Sequence, residues 1–145
     1  MFGTGNIAPY NRWFNASGTV QGDWFCRIPA IRLADAYSKK GGNVYMYEFA
    51  WRTPQLNGLL SACHTLEIPF VFDTLGFDNE ALLGPNPPQQ LADSVHAAWV
   101  SFAANGECNW PKYDLTSRAT MRFDVASEVV HDPRSVERKL WEGVR

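Results

Sequence analysis

Residues 44–51, VYMYEFAW, decide the fold class of this 145-residue chain. The stretch is β-branched and aromatic with almost no polar break, which is typical of a strand covered on both faces in a parallel sheet. Upstream, apolar residues recur at helical spacing over 24–37. Asp23 is placed to cap that helix, Pro29 to bend or restart it, and Gly41 to end it. A helix that leads into a buried strand indicates an α/β fold.

The rest of the chain predicts two further helices and one further strand. A Pro-rich break at 84–88 precedes a helix that ends at Gly106, residues 119–124 alternate like a half-buried strand, and a short helix follows Pro133. Since only two strands are clear, against about 5–6 in an average sheet, we expect an incomplete sheet. The helical side chains expected to face inward are Leu91, Val95, Trp99 and Phe102, then Val136, Leu140 and Trp141.

Composition excludes several classes of function. Hydrophobic residues make up 46% of the chain, so disorder is not expected. The 13 basic and 15 acidic side chains give a net charge of −2, which provides no footprint for nucleic acid or an anionic membrane. No apolar run approaches the roughly 20 residues of a membrane helix. The three cysteines and three histidines lack metal-site spacings, so no metal is predicted. The length suits one domain over 1–145.

His64 is the leading candidate for chemistry. It lies in a loop after the predicted strand, and in open α/β sheets the crevice beyond the strand ends collects functional groups. An imidazole there can take and return a proton near neutral pH. From spacing alone, the alternative interpretation is a hydrogen-bonded, partly buried histidine. His96 is expected in solvent on its helix, and His131 in a turn.

No nucleophile accompanies His64 in an obvious motif. A serine hydrolase of the α/β type needs Gly-x-Ser-x-Gly, because the sharp turn that presents the serine has no room for side chains beside it. None of the eight serines has glycine at both positions. Cys63 adjoins His64, but neighbouring side chains on an extended backbone point apart. Cys108 paired with His64 is left as a weaker, thiol-hydrolase alternative.

Residues 63–72 read CHTLEIPFVF. Shorter motifs stand around this one in a fixed order: Phe25 with Pro29, Leu33 and Ala34; VYMYEF at 44–49; WVSFA at 99–103; Asn105-Gly106; Trp110-Pro111 with Tyr113; Thr120-Met121 with Phe123; and Glu137-Arg138 with Leu140-Trp141. Together, over roughly 20–142, they resemble the C-terminal portion of the type-B carboxylesterases. That family includes the bacterial para-nitrobenzyl esterases and the cholinesterases.

The resemblance implies a C-terminal segment of an α/β-hydrolase fold, with few strands flanked by helices and much exposed apolar surface. The complete enzyme would hydrolyse small-molecule carboxylic esters through an acyl-serine, without a cofactor. His64 would be its triad histidine and Glu67 a supporting residue.

The same resemblance implies that the triad is incomplete in this chain. The order along an α/β-hydrolase is Ser, acid, His, so both partners should lie upstream of His64, and the isolated chain is expected to be inactive. The alternative is a non-catalytic interaction or dimerisation module that pairs with an N-terminal half or with a second copy.

Overall fold

The computed structural model describes residues 20–144. Within that part, no helix is long and apolar enough to cross a membrane, and no group of three or more His, Cys, Asp or Glu side chains could hold a metal ion. In chain order the elements are a π-helical turn (Asp23–Arg27) continuing into α1 (Ile28–Lys39), β1 (Met46–Phe49), a 3-10 turn (Gln55–Gly58), α2 (Ile68–Val71), α3 (Glu80–Leu83), α4 (Gln89–Asn105), β2 (Ala119–Phe123), β3 (Glu128–His131) and α5 (Ser135–Leu140).

The described strands form one three-stranded sheet in the order β1-β2-β3. β1 runs parallel to β2, with Met46 opposite Thr120 and Phe49 opposite Phe123. β2 runs antiparallel to β3. The α/β class and the short sheet are as predicted. β3 was not predicted, and all four β1 side chains are only half-buried, whereas a strand covered on both faces was expected.

The core lies where α4 packs on α2 and on the sheet. Phe70, Leu66, Leu83 and Val95 are fully buried there. α4 ends at Gly106 as predicted, in a left-handed cap with φ of +70°.

The buried face of α4 differs from the predicted one. It comprises Leu91, Ala92, Val95 and Ala98. Trp99 and Phe102 were expected inside, but each is 44% exposed because the ring stands at the edge of this face. There the two rings meet the tyrosines of the β1 region edge-on, Trp99 against Tyr47 and Phe102 against Tyr45.

The helix over 24–37 follows the prediction in its length and in the residues at which it restarts and ends. Pro29 stands in the first turn of α1, directly after the π-helical turn, and Gly41 follows the helix with φ of +76°. Asp23 does not cap the helix: it lies inside the helical turn, 4% exposed, and pairs with Arg27 at 2.6 Å. An ion pair one turn along the helix therefore replaces the predicted cap.

The packing of α5 also differs from the prediction. Val136 and Leu140, which were expected to face inward, are 71% and 74% exposed. The helix is held instead by Arg138, whose guanidinium donates to Asp132 at 2.8 and 2.9 Å. Polar contacts at its N-terminal end thus position α5. The described residues leave Val136 and Leu140 uncovered, whereas Trp141, also expected to face inward, is half-buried.

Candidate active site

His64 begins the turn that leads into α2, and its side chain is exposed. The turn is anchored on both sides of the imidazole. The Leu66 amide donates to the Cys63 carbonyl at 3.2 Å, and the Leu66 side chain is fully buried. Phe70, one turn further, packs against Trp51 with ring centroids 5.2 Å apart. The imidazole of His64 is therefore accessible to solvent, and the backbone of its turn is held by the buried side chains of Leu66 and Phe70.

Of the nine described non-glycine residues with positive φ, four lie in the segment that carries His64. Leu56, Asn57, Ser61 and Thr65 all have positive φ, between 51° and 71°. A β-branched residue such as Thr65 rarely adopts this conformation, because its Cβ crowds the backbone. Such strain persists where the surroundings hold it in place, and it clusters at functional sites.

Glu67 lies between the His64 turn and α2, and its carboxylate is near Tyr47 on β1. Its carbonyl accepts hydrogen bonds from the Phe70 and Val71 amides at 3.0 and 2.9 Å, which start α2. Burial raises the pKa of the Tyr47 hydroxyl on β1, and the nearby Glu67 carboxylate raises it further. Among the described residues, the side chain of Glu67 thus acts on its surroundings through its charge.

The burial of His96 differs from the prediction. It was expected in solvent, yet it is half-buried on α4, and its Nδ1 donates to the Val71 carbonyl at 2.8 Å. This bond holds the last residue of α2 and thereby the helix that follows His64. No spacing signal marks His96, since the contact depends on where α2 packs. His131 ends β3 instead of lying in a turn, and its side chain is exposed.

Cys108 lies in an apolar groove of about 160 Å³, and no histidine is among the described residues that line it. Burial raises the pKa of the Cys108 thiol. Because the thiolate is the nucleophilic form, a raised pKa makes this cysteine less reactive. Neither the lining of the groove nor the state of the thiol supports the thiol-hydrolase alternative. The residues that line the groove are Tyr45, Tyr47, Ala98, Trp99, Phe102, Cys108 and Trp110.

A second cavity, of about 410 Å³, is lined by four arginines on the side of the helix 24–37. Each guanidinium has a carboxylate partner among the described residues, and Arg27 and Arg134 share one, so these ion pairs help to hold the fold together. The pairs are Arg27 and Arg134 with Asp23, Arg118 with Asp35, and Arg138 with Asp132.

Comparison with known sequences identifies relatives of this arrangement. The Carboxylesterase family profile matches residues 5–141. The chain is 34% identical over 118 residues to the para-nitrobenzyl esterase of Bacillus subtilis, which covers 77% of this chain and 24% of that protein. It is 27% identical over 152 residues to acetylcholinesterase 1 of Caenorhabditis briggsae, which covers 90% of this chain and 24% of that protein.

Solved structures agree with the sequence relatives. A thermophilic para-nitrobenzyl esterase superposes with a TM-score of 0.72 at 33% identity, over 84% of this chain and 26% of that one. A carboxylesterase of Geobacillus stearothermophilus gives a TM-score of 0.71 at 32% identity, over 97% and 29%. The chain thus spans about a quarter of the length of these proteins. The α/β-hydrolase fold predicted from the motifs is confirmed, and the chain belongs to the carboxylesterase family.

Proposed function

We propose that this chain is the part of a serine carboxylesterase that supplies its general base, His64. The observation that carries the proposal is an exposed imidazole on a strained turn, anchored by Leu66 and Phe70 below it. A base in this position is accessible to a serine from outside the chain, and its backbone is restrained by the two buried side chains. Fixed geometry of this kind is what proton transfer at a reacting hydroxyl requires.

In the proposed reaction His64 removes the proton of the serine hydroxyl as that oxygen attacks the ester carbonyl. The protonated imidazole then donates to the leaving alcohol, and an acyl-serine is formed. In the second half, His64 removes a proton from water, which releases the acid and restores the serine. Glu67 is a positioning residue: it starts α2 through its carbonyl and faces Tyr47 through its charge.

The serine and the triad acid would come from the part of the fold that this chain does not match. None of the eight serines stands in the Gly-x-Ser-x-Gly turn that an α/β-hydrolase needs. The isolated chain should therefore neither turn over para-nitrophenyl esters nor react with a fluorophosphonate probe. Labelling of the isolated chain by that probe would contradict the incomplete triad.

A chimera tests the role of His64 directly. In it, this chain replaces the matching segment of the Bacillus subtilis para-nitrobenzyl esterase. His64→Gln should lower kcat for a para-nitrophenyl ester by at least about 10³-fold, because the base is lost and the fold is kept. The matched control is His131→Gln, another exposed histidine, which should leave kcat unchanged. If the His64→Gln chimera kept more than about a tenth of its kcat, His64 would not be the base.

A non-catalytic interaction module is the second candidate function. It is favoured by the apolar surface of the helix 24–37, which no described residue covers. The two candidates differ in the His64→Gln chimera, since an interaction module loses nothing when the imidazole is removed.

A further inference from the structure

The His64 turn and α2 form one continuous hydrogen-bonded segment. The Ile68 amide donates to the Thr65 carbonyl at 3.1 Å, and the Val71 amide donates to the Glu67 carbonyl at 2.9 Å. Since α2 has only four residues, it is too short to be stable alone, and its position is set by what it contacts. A shift at Val71 would therefore be passed along these bonds to the backbone of His64.

The end of α2 is held by a side chain of α4. The last carbonyls of a helix lack partners within the helix, and among the described residues no backbone amide donates to the Val71 carbonyl. Its donor is Nδ1 of His96, at 2.8 Å. Because a carbonyl oxygen only accepts, Nδ1 carries a proton in this bond whichever charge the ring has. Val71 is 9% exposed, so water has little access to replace the bond.

A second polar contact joins the same two parts of the fold. Gln89, two turns before His96 on α4, donates through Nε2 to Asp73 at 2.7 Å and to Asp93 at 2.9 Å. Residues 89, 93 and 96 lie on one side of α4, since spacings of three and four fall on one helical face. That side therefore holds both the last residue of α2 and the loop that follows it. The Gln89 contact is exposed to solvent, so the partly buried His96 bond is the stronger restraint.

We propose that His96 is a positioning residue for the general base: it fixes α2 through the Val71 carbonyl, and through α2 it fixes the imidazole of His64. This role rests on the proposed function of His64. Leu66 and Phe70 hold the segment from its apolar side, and His96 adds a directional bond at its far end. Such a bond matters for rate, because proton transfer requires the base to stay within hydrogen-bond reach of the reacting hydroxyl.

His96→Leu and His96→Asn separate this role from simple stabilisation. Leucine keeps the bulk without the donor, whereas asparagine carries an amide nitrogen at the branch position of Nδ1 and keeps the donor. In the chimera with the Bacillus subtilis esterase, assayed about 15 °C below its Tm, His96→Leu should lower kcat for a para-nitrophenyl ester about fivefold to tenfold and leave KM within about twofold. His96→Asn should keep kcat within about twofold of the parent chimera.

The matched control is His131→Leu. His131 also bonds a backbone carbonyl through Nδ1, that of Ser117 at 3.2 Å, but it lies on β3. This substitution should leave kcat within about twofold. A kcat for His96→Leu equal to that of the parent chimera would overturn the proposal, and so would equal losses for His96→Leu and His96→Asn.

A double-mutant cycle shows whether His96 acts through His64. In the His64→Gln chimera, His96→Leu should change the residual kcat by no more than about twofold, because the base that it positions is absent. The same fold loss in both backgrounds would overturn the proposal, since His96 would then act independently of His64.

Hydrogen exchange on this chain gives a readout that does not depend on turnover. Peptides covering 63–72 should exchange about fivefold faster with His96→Leu and at the original rate with His96→Asn. If His64→Gln abolishes turnover in the chimera while His96→Leu leaves kcat and exchange unchanged, only the positioning role is refuted. If His64→Gln leaves kcat unchanged, the proposed function is refuted too, because there is then no base to position.

Discussion

Asp23→Asn tests whether the charges behind the helix 24–37 hold it to the C-terminal segment. Asp23 accepts from Arg27 Nε and Nη2 at 2.6 and 2.7 Å and from Arg134 Nη2 at 3.1 Å. Asparagine preserves the volume but removes the charge that both arginines face. The Nη1 of Arg27 is already buried without a hydrogen-bond partner among the described residues. The substitution therefore leaves an uncompensated charge in a largely dry place.

The magnitude follows from the exposure of the three side chains. Removing one partner of a fully buried ion pair costs about 3–5 kcal/mol. The Arg27 and Arg134 side chains are 19% and 39% exposed, so water screens part of the loss. We expect the free energy of unfolding to fall by about 2–3 kcal/mol. With a typical urea dependence for a chain of this size, the midpoint moves down by roughly 1–2 M.

Urea unfolding followed by tryptophan fluorescence measures this loss. The control is Asp78→Asn, an exposed aspartate, which should change the free energy of unfolding by no more than about 0.5 kcal/mol. A cost below about 0.5 kcal/mol for Asp23→Asn would show that solvent already screens the three charges. The inner side of the helix would then not be a charged interior.

Three further perturbations test other parts of the fold. Thr65→Gly should raise the free energy of unfolding by about 1 kcal/mol in urea melts, because relief of the positive φ outweighs the extra freedom of glycine in the unfolded chain. A loss would show that the strain is smaller than the contribution of the hydrogen bond from the Thr65 hydroxyl to the His64 carbonyl. His96→Ala should lower it by about 1 kcal/mol through loss of the bond to Val71, and hydrogen exchange should rise in α2. Hydrogen bonds from arginine lower the pKa of Asp23 and Asp132. The contribution of these two carboxylates to the free energy of unfolding is therefore complete above their unfolded pKa of about 4, and it is lost as the pH falls through the lower folded values. In an acid titration, the free energy of unfolding should decline less steeply for Asp23→Asn than for the wild type.

Local signals in the sequence predicted the elements whose cause is local. The run at 44–51 is β-branched and aromatic, Pro29 favours a bend or a restart of its helix, and Gly41 and Gly106 adopt positive φ at little cost. β3 could not be predicted in this way. Residues 128–131 read Glu-Val-Val-His, too short and too polar at both ends to signal a strand. They form one because β2 offers an edge to pair with.

In the candidate site too, local features were predictable from the sequence and long-range contacts were not. His64 and Glu67 stand in one motif, so the sequence could connect them, and the structure adds the anchoring of their turn. The role of His96 was not visible, because its partner, the Val71 carbonyl, lies 25 residues away in the chain. Contacts of that range depend on packing, and hydrophobic spacing along one helix does not encode them.

The errors in the predicted burial of apolar side chains share one direction, and this favours a common cause. Trp99, Val136 and Leu140 were expected inside and lie partly or largely outside, and the helix 24–37 shows its apolar side to solvent. His96 is the one exception: it was expected in solvent and is half-buried, through its hydrogen bond to the Val71 carbonyl. Apolar spacing reflects all the neighbours of a helix in its complete fold, whereas the described residues provide only three strands. If a partner supplied the rest of the sheet, the surfaces at Leu33 and Trp99 would be covered in one docking step. A partner that covered only one of these two surfaces would show that the errors have separate causes.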